Sequence, residues 1–204
     1  MVKVGFIVEG ETEKIIIESQ IFKDFLTRYG YTLAEPVIDA TGGGNLLPKN
    51  IQQYIDRIQI NQPDKIFVLT DIENDPSVEK LKERIQHPNI DMVFIAVKAI
   101  EAWFLADTQA MIKFLKTDDF IEQFPEQTSE KPWDRIKEII NQLNVRGAGS
   151  KVILAKRMIK HYEFSIENSA NHPHCPSAKE FIDYFRRKKS QHLSWLFLYG
   201  LCLE

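Results

Sequence analysis

The chain has 204 residues, 44% of them hydrophobic and 27% charged, with a formal net charge of -3. At roughly 150 residues per domain this fits one α/β domain with an added region, and the balance excludes a disordered, collagen-like or coiled-coil chain. Cys175 and Cys202 are the two cysteines, too few for a disulfide framework and in keeping with a reducing, cytoplasmic setting; no uncharged apolar run reaches ~18 residues, so no membrane span is expected.

Residues 2–8 are an apolar run, read as a buried strand rather than a signal peptide because it meets Glu9. From about Thr12 to Tyr29 the apolar residues Ile15, Ile16, Ile17, Ile21, Phe22, Phe25 and Leu26 recur at helical spacing. Gly30 stands where a helix stops. A second strand is expected over Thr32–Ala40, then the loop Thr41-Gly42-Gly43-Gly44-Asn45, then a helix over about Pro48–Ile60. Lys65–Thr70 reads as a third strand, Ser77 as the cap of a helix to about Gln86, and Asp91–Val97 as a fourth strand. Strands alternating with helices imply a parallel sheet covered on both faces. Right-handed crossovers bring the loops after the strands to one edge, where such folds carry their function.

Beyond residue 98 the pattern is helical. Asp107 is expected to cap 108–116, residues 117–131 to form a loop, and Pro132 to open a helix to 143. Ser150 should cap a helix to about Tyr162, and 167–176 should be loop. Ser177 and Glu180 have the spacing of a capping box for a helix to about Lys189. The apolar run Leu193–Leu203 fits helix or strand. The expected organisation is an α/β core over residues 1–107 and a helical extension over 108–204 packed on it.

Charge is unevenly spread. Residues 1–130 carry 13 Lys/Arg against 22 Asp/Glu, whereas residues 131–192 carry 13 against 6. An acidic front and a basic back suit a protein that gathers cations in one place and holds a polyanion in another; a chance partition over a solvated surface is the plainer alternative.

The acids concentrate at strand ends. Glu9 follows the first strand and Glu13 lies four residues on; Asp71, Glu73 and Asp75 alternate after the third. In a flavodoxin-like order strands one and three are neighbours, so five carboxylates converge. Two unit charges about 4 Å apart repel by roughly 4 kcal/mol at an effective dielectric near 20. Such a cluster must protonate, separate or bind cations, and hard oxygen ligands suit Mg²⁺ or Mn²⁺. The competing explanation is that these acids cap helix N-termini.

Val8-Glu9-Gly10-Glu11-Thr12-Glu13 after a first strand, with the Asp71-x-Glu73-x-Asp75 triplet after a third, resembles the TOPRIM domain. The Glu-Gly-x-x-Glu form, and Ala99–Asp107 after the fourth strand, look most like the OLD-family (overcoming lysogenization defect) nucleases and related bacterial TOPRIM-like proteins. The resemblance covers roughly residues 1–107. It implies a TOPRIM-like four-stranded parallel sheet and metal-dependent phosphodiester cleavage of DNA or RNA, with a role in phage defence or DNA repair. On that pattern Glu9 is the acid or base at the reacting oxygen. Glu9, Glu13, Asp71, Glu73, Asp75 and Glu101 form the metal set, with Glu101 completing a second ion site. Glu73 departs from the usual Asp-x-Asp pattern and reaches one methylene further. OLD-type nucleases also carry an ATPase domain; no Gly-x-x-x-x-Gly-Lys-Ser/Thr is present here.

The remaining candidates are weaker signals. Lys151, Lys156, Arg157 and Lys160 share one predicted helix. The resemblance implies a functional lysine late in the domain, for which Lys151 is taken. Lys156, Arg157, Lys160, Arg186 and Arg187 are candidate phosphate contacts. The Gly42–Gly44 loop could cradle a phosphate or be a plain tight loop. His161, His172, His174 and Cys175 match no common zinc spacing. Trp103 and Trp133 fit core packing better than base stacking. The expectation is a nuclease acting on DNA or RNA. Two alternatives stay open: phosphoryl transfer on a small phosphorylated molecule or nucleotide, and a non-catalytic partner of a separate ATPase. A homodimer is left open.

Overall fold

The structure is a computed structural model that describes residues 1–72 and 76–199, with side chains as far as Arg187. Its centre is β1 (Val2–Val8), apolar but for Lys3 and buried throughout from Val4 to Val8. β4 (Lys65–Asp71) lies beside it in parallel, from Val4 opposite Lys65 to Val8 opposite Leu69. β2 (Tyr31–Leu33) and β3 (Ile38–Asp39) pair with the other side of β1, and β5 (Met92–Ala96) with β4. The sheet order is β2-β1-β4-β5, with β3 also on β1.

Alternation along the strands divides the core. Val4, Phe6, Val8, Phe67, Leu69 and Phe94 join one hydrophobic cluster, and Ile7, Ile66, Val68, Val93 and Ile95 another. Helix α3 (Pro48–Gln59) covers the second face with Ile51, Ile55 and Ile58. It approaches so closely that a Cβ on Gly5 would stand 2.7 Å from Ile58 Cγ1, so β1 needs a glycine there. The other face receives α1 (Glu11–Ile17), α2 (Gln20–Arg28), α5 (Glu101–Ala106) and α10 (Pro176–Tyr199). Phe181 and Phe185 of α10 meet Phe6, Phe22 and Phe94 at ring separations of 4.8–6.5 Å. That cluster takes residues from both sides of Asp107, so one core runs through α/β and helical parts alike.

Several expectations are corrected. The helix expected from Thr12 to Tyr29 is two helices, because Ser19 is extended and its hydroxyl caps α2 on Phe22 N. The expected second strand is split into β2 and β3 around a cis Glu35-Pro36 bond, giving five strands among the described residues in place of four. The segment read as loop over 167–176 contains α9 (Ile166–Ala170), capped by Ser165. Ser77, Asp107 and Ser150 do cap α4 (Val78–Arg84), α6 (Thr108–Leu115) and α8 (Lys151–His161), and Pro132 opens α7 (Pro132–Gln142). α10 continues through Leu193 to Tyr199, and the rest of that apolar run lies outside the described residues. Trp103 is fully buried and Trp133 is half-buried against the same cluster. Among the described residues no helix is long and apolar enough to cross a membrane.

The capping box at Ser177 does not form, because tertiary partners outbid the local one. Ser177 Oγ accepts from Trp103 Nε1 at 2.8 Å and Val97 N at 3.3 Å, and donates to buried Glu126. Glu126 also receives Ser177 N and Cys175 Sγ. One hydroxyl thus ties β5, α5, the 125–127 turn and α10 together. Ser177→Ala leaves two donors and a carboxylate short of a partner and is expected to destabilise the fold by about 1–3 kcal/mol. A lowered urea midpoint with an unchanged slope would report it.

Candidate metal centre

The parallel register puts the ends of β1 and β4 side by side. Glu9 is the first residue beyond β1, and its backbone N–H still bonds Leu69 O. Its Oε2 accepts from Asp71 N at 3.1 Å and from the Thr70 hydroxyl. Gly10 turns the chain into α1, where the acidic first turn places Glu13 against the same opening. After β5 the chain turns through Lys98, at φ 67°, and enters α5 with Glu101 as its first residue. Asp71 Oδ1 accepts from Ile100 N at 2.8 Å, so it holds the entry to α5 as it faces Glu9. From the far side α8 supplies Lys151, whose Nζ lies 3.0 Å from Glu101 Oε1 and 3.1 Å from Oε2.

These side chains line one open cavity of about 340 Å³ with Asp39, Thr41 and Gly42. Glu13 is 5% exposed and Glu101 1%. Withdrawal from water raises the Glu13 carboxyl to about 7, helped by Glu9 and Glu101 and opposed by its own backbone N–H and by Lys151. Burial likewise pushes the Asp71 carboxyl well above its ordinary value, with Glu13, Glu101 and Glu9 adding to it. Burial pulls the Lys151 ammonium down, but Glu101, Asp71 and Glu13 more than offset this and hold it above the ordinary lysine value. Glu101 Oε1 is enclosed and has no hydrogen-bond donor aligned on it, although the ammonium stands beside it.

Of the acids expected here, Glu9, Glu13, Asp71 and Glu101 come together, and Glu73 and Asp75 lie outside the described residues. Asp39, the last residue of β3, is an acid that the sequence reading missed. It obeys the same rule as Glu9 and Asp71, a carboxylate at the carboxyl end of a parallel strand. The glycine loop is part of the wall: Gly42 N bonds Glu9 O at 2.8 Å, and a Cβ on Gly43 would lie 3.3 Å from Glu9 Oε1. Gly42 itself, at φ 124°, adopts a backbone that side chains disfavour.

The donor set is carboxylate oxygen throughout, the chemistry of a hard divalent cation. A buried carboxylate oxygen without an aligned donor fits such a guest. Among the described residues no group of three or more His, Cys, Asp or Glu side chains has its donors already gathered in metal-holding geometry. With Lys151 on Glu101 and backbone N–H groups on Glu9 and Asp71, the carboxylates are held apart rather than converged on a point.

The basic residues are less concentrated. Lys156 bonds Glu11 at 3.2 Å, at the rim of the cavity. Lys160 is exposed further along α8. Arg157 is turned inward, bonding Gly147 O and Tyr162 Oη with its guanidinium over Phe114. Arg186 pairs with Glu167, which also holds Arg28 at the far end of α2. Because Gly30 O bonds Val2 N, that group stands at the amino end of β1, with the acids at the other end. Arg187 is exposed. Cys175 is buried against Glu126, and burial pushes its thiol up, so it is no nucleophile.

The fold and the cavity define a parallel α/β protein with an acidic, lysine-bordered pocket at the carboxyl edge of its sheet. Over residues 8–186 the chain matches the family described as Domain of unknown function (DUF4276), and it belongs to that family. No curated protein and no solved structure matches it.

Proposed function

We propose that the chain is a divalent-metal-dependent phosphodiester hydrolase of nuclease type, acting on DNA or RNA in the bacterial cytoplasm. The observation that carries this reading is the meeting of Glu9, Glu13, Asp71 and Glu101 at one strand edge, with a buried oxygen of Glu101 left without an aligned donor. The resemblance of the Glu9–Glu13 and Asp71–Asp75 segments to the TOPRIM domain of OLD-type nucleases adds to it, and with it a role in phage defence or DNA repair. Glu9, Glu13 and Asp71 are the residues that would hold Mg²⁺ or Mn²⁺, with Glu101 at the rear. A bound ion of this kind supplies Lewis acidity and an ionised water at neutral pH. Glu9 Oε1, the oxygen not engaged by Thr70 or Asp71, accepts the proton from the attacking water. Lys151, half-exposed in the wall, offers positive charge to the phosphate oxygens as they gain negative charge. Lys156 and Lys160 steer the polyanion to the rim.

The test is incubation of the purified chain with labelled single- and double-stranded DNA and RNA, with Mn²⁺ or Mg²⁺ and then with a chelator. Cleavage that requires the ion and fails under the chelator is expected. No cleavage of any of them, with the ion bound, overturns the reading.

A second reading has its own observation. Arg157 and Arg186 are engaged by partners within the chain, which leaves, among the described residues, a short basic rim beside a cavity of about 340 Å³. That favours a small phosphorylated molecule or nucleotide over a long polymer. Salt separates the two. Contacts to several phosphates make affinity fall steeply with salt, by roughly 0.9 per contact in log–log slope, whereas a small substrate gives a shallow slope.

A further inference from the structure

We propose that Lys151 is the resident second cation of this site: its ammonium fills the position beside Glu101 that a second divalent ion would take, so the pocket holds one divalent ion and not two. The inference rests on the metal reading above and makes it more specific. Lys151 Nζ stands 3.0 and 3.1 Å from the two oxygens of Glu101, so its charge occupies the space beside them although no N–H is aligned on Oε1. The lysine is anchored rather than free. It is the first residue of α8, whose start is fixed by Ser150 Oγ accepting from Ile153 N and by Gly149 at φ 79°. α8 in turn lies along α1, joined by the Lys156–Glu11 pair, and α1 carries Glu13.

Among the described residues the oxygens still open are few. Thr70 and Asp71 N take Glu9 Oε2, and Ile100 N takes Asp71 Oδ1. Glu9 Oε1, Asp71 Oδ2, the Glu13 carboxyl and Asp39 Oδ2, whose Oδ1 accepts from Thr41 N, remain. That set suits one Mg²⁺-like ion, which keeps several waters and takes one or two carboxylates. A partner ion about 3.5–4 Å away would have to share Glu101 with an ammonium of like charge. A compact point charge on a four-carbon stem is the residue type that can stand in for an ion there.

Counting bound Mn²⁺ per chain, from the free-ion paramagnetic resonance signal during a titration of the full chain, tests this without any activity. Wild type is expected to take one ion, Lys151→Arg one, and Lys151→Met two. Far-UV circular dichroism checks that the variants are folded, with Lys151→Gln as the substitute if Lys151→Met is not. Two ions in folded wild type overturn the role of Lys151 and leave the metal reading standing. One ion in both wild type and the neutral variants also overturns it, since removal of the ammonium then opens nothing. No ion in wild type overturns the metal reading and this inference with it.

Discussion

Asp71→Asn is expected to abolish both the divalent-ion-induced rise in melting temperature and the metal-dependent cleavage, with the fold intact. Wild type at an ion concentration 100 times the dissociation constant gains roughly 2.7 kcal/mol, a rise of about 5–11 °C for a chain of this size. Changing outer partners of a metal site already costs about 10–100-fold in affinity or activity, so loss of a ligand should exceed roughly a hundredfold. The fold survives because Asn keeps an oxygen for Ile100 N, the one contact by which Asp71 holds the start of α5. Without metal the variant should melt no lower than wild type. Burial and the charges of Glu13, Glu101 and Glu9 already disfavour the Asp71 anion, and a neutral amide removes that conflict. Glu9→Gln is expected to behave alike, since an amide oxygen can still accept from Thr70 and Asp71 N. Melting curves and cleavage rates with and without Mn²⁺ check both. Unchanged cleavage in both variants would remove the carboxylate pocket as the reacting centre.

That these two residues were legible as a pair is a matter of periodicity and topology. Two largely apolar runs, 2–8 and 65–70, are each followed by an acid, and parallel neighbours end at the same edge. Glu101 came only from the resemblance of Ala99–Asp107 to the OLD-type nucleases, and it opens α5 after β5. What escaped depended on contacts between residues far apart in the chain. Ser177 has the local spacing of a cap, but Trp103 and Glu126, 74 and 51 residues away, claim its hydroxyl. Arg157 and Arg186 look like free cations in a basic stretch, and only the folded chain shows the aromatic rings and Glu167 that hold them. Asp39 escaped because the second strand was expected to run unbroken to Ala40, which put it inside the strand and not at its end. The break at Ser19 was visible as a residue type, yet an uninterrupted apolar stripe from Ile15 to Leu26 outweighed it.

The metal-free protein is expected to lose stability as pH rises from about 4.5 to about 7, and divalent ions should cancel that loss. Glu13 carries the effect. Its carboxyl stands at about 7 in the folded chain against 4.5 ordinarily, chiefly because it is withdrawn from water. A raised pKa means the folded state holds a proton that the unfolded chain has released. The resulting stabilisation is full below the unfolded value and is lost as pH climbs through the folded one. Taken alone the shift corresponds to roughly 3 kcal/mol, or on the order of 10 °C in melting temperature. Asp71, raised for the same reason, acts in the same direction. A divalent ion requires the ionised carboxylates, so its binding releases protons and tightens over this range. Melting temperature against pH should therefore slope downward without metal and flatten or reverse with Mn²⁺. Glu13→Gln removes one titrating group and should flatten part of the metal-free slope, leaving the part due to Asp71, Asp107 and Glu126, which burial raises likewise. A metal-free profile that rises from pH 5 to 7 in wild type would mean that Glu13 is ionised in the folded chain, with its charge met by Lys151.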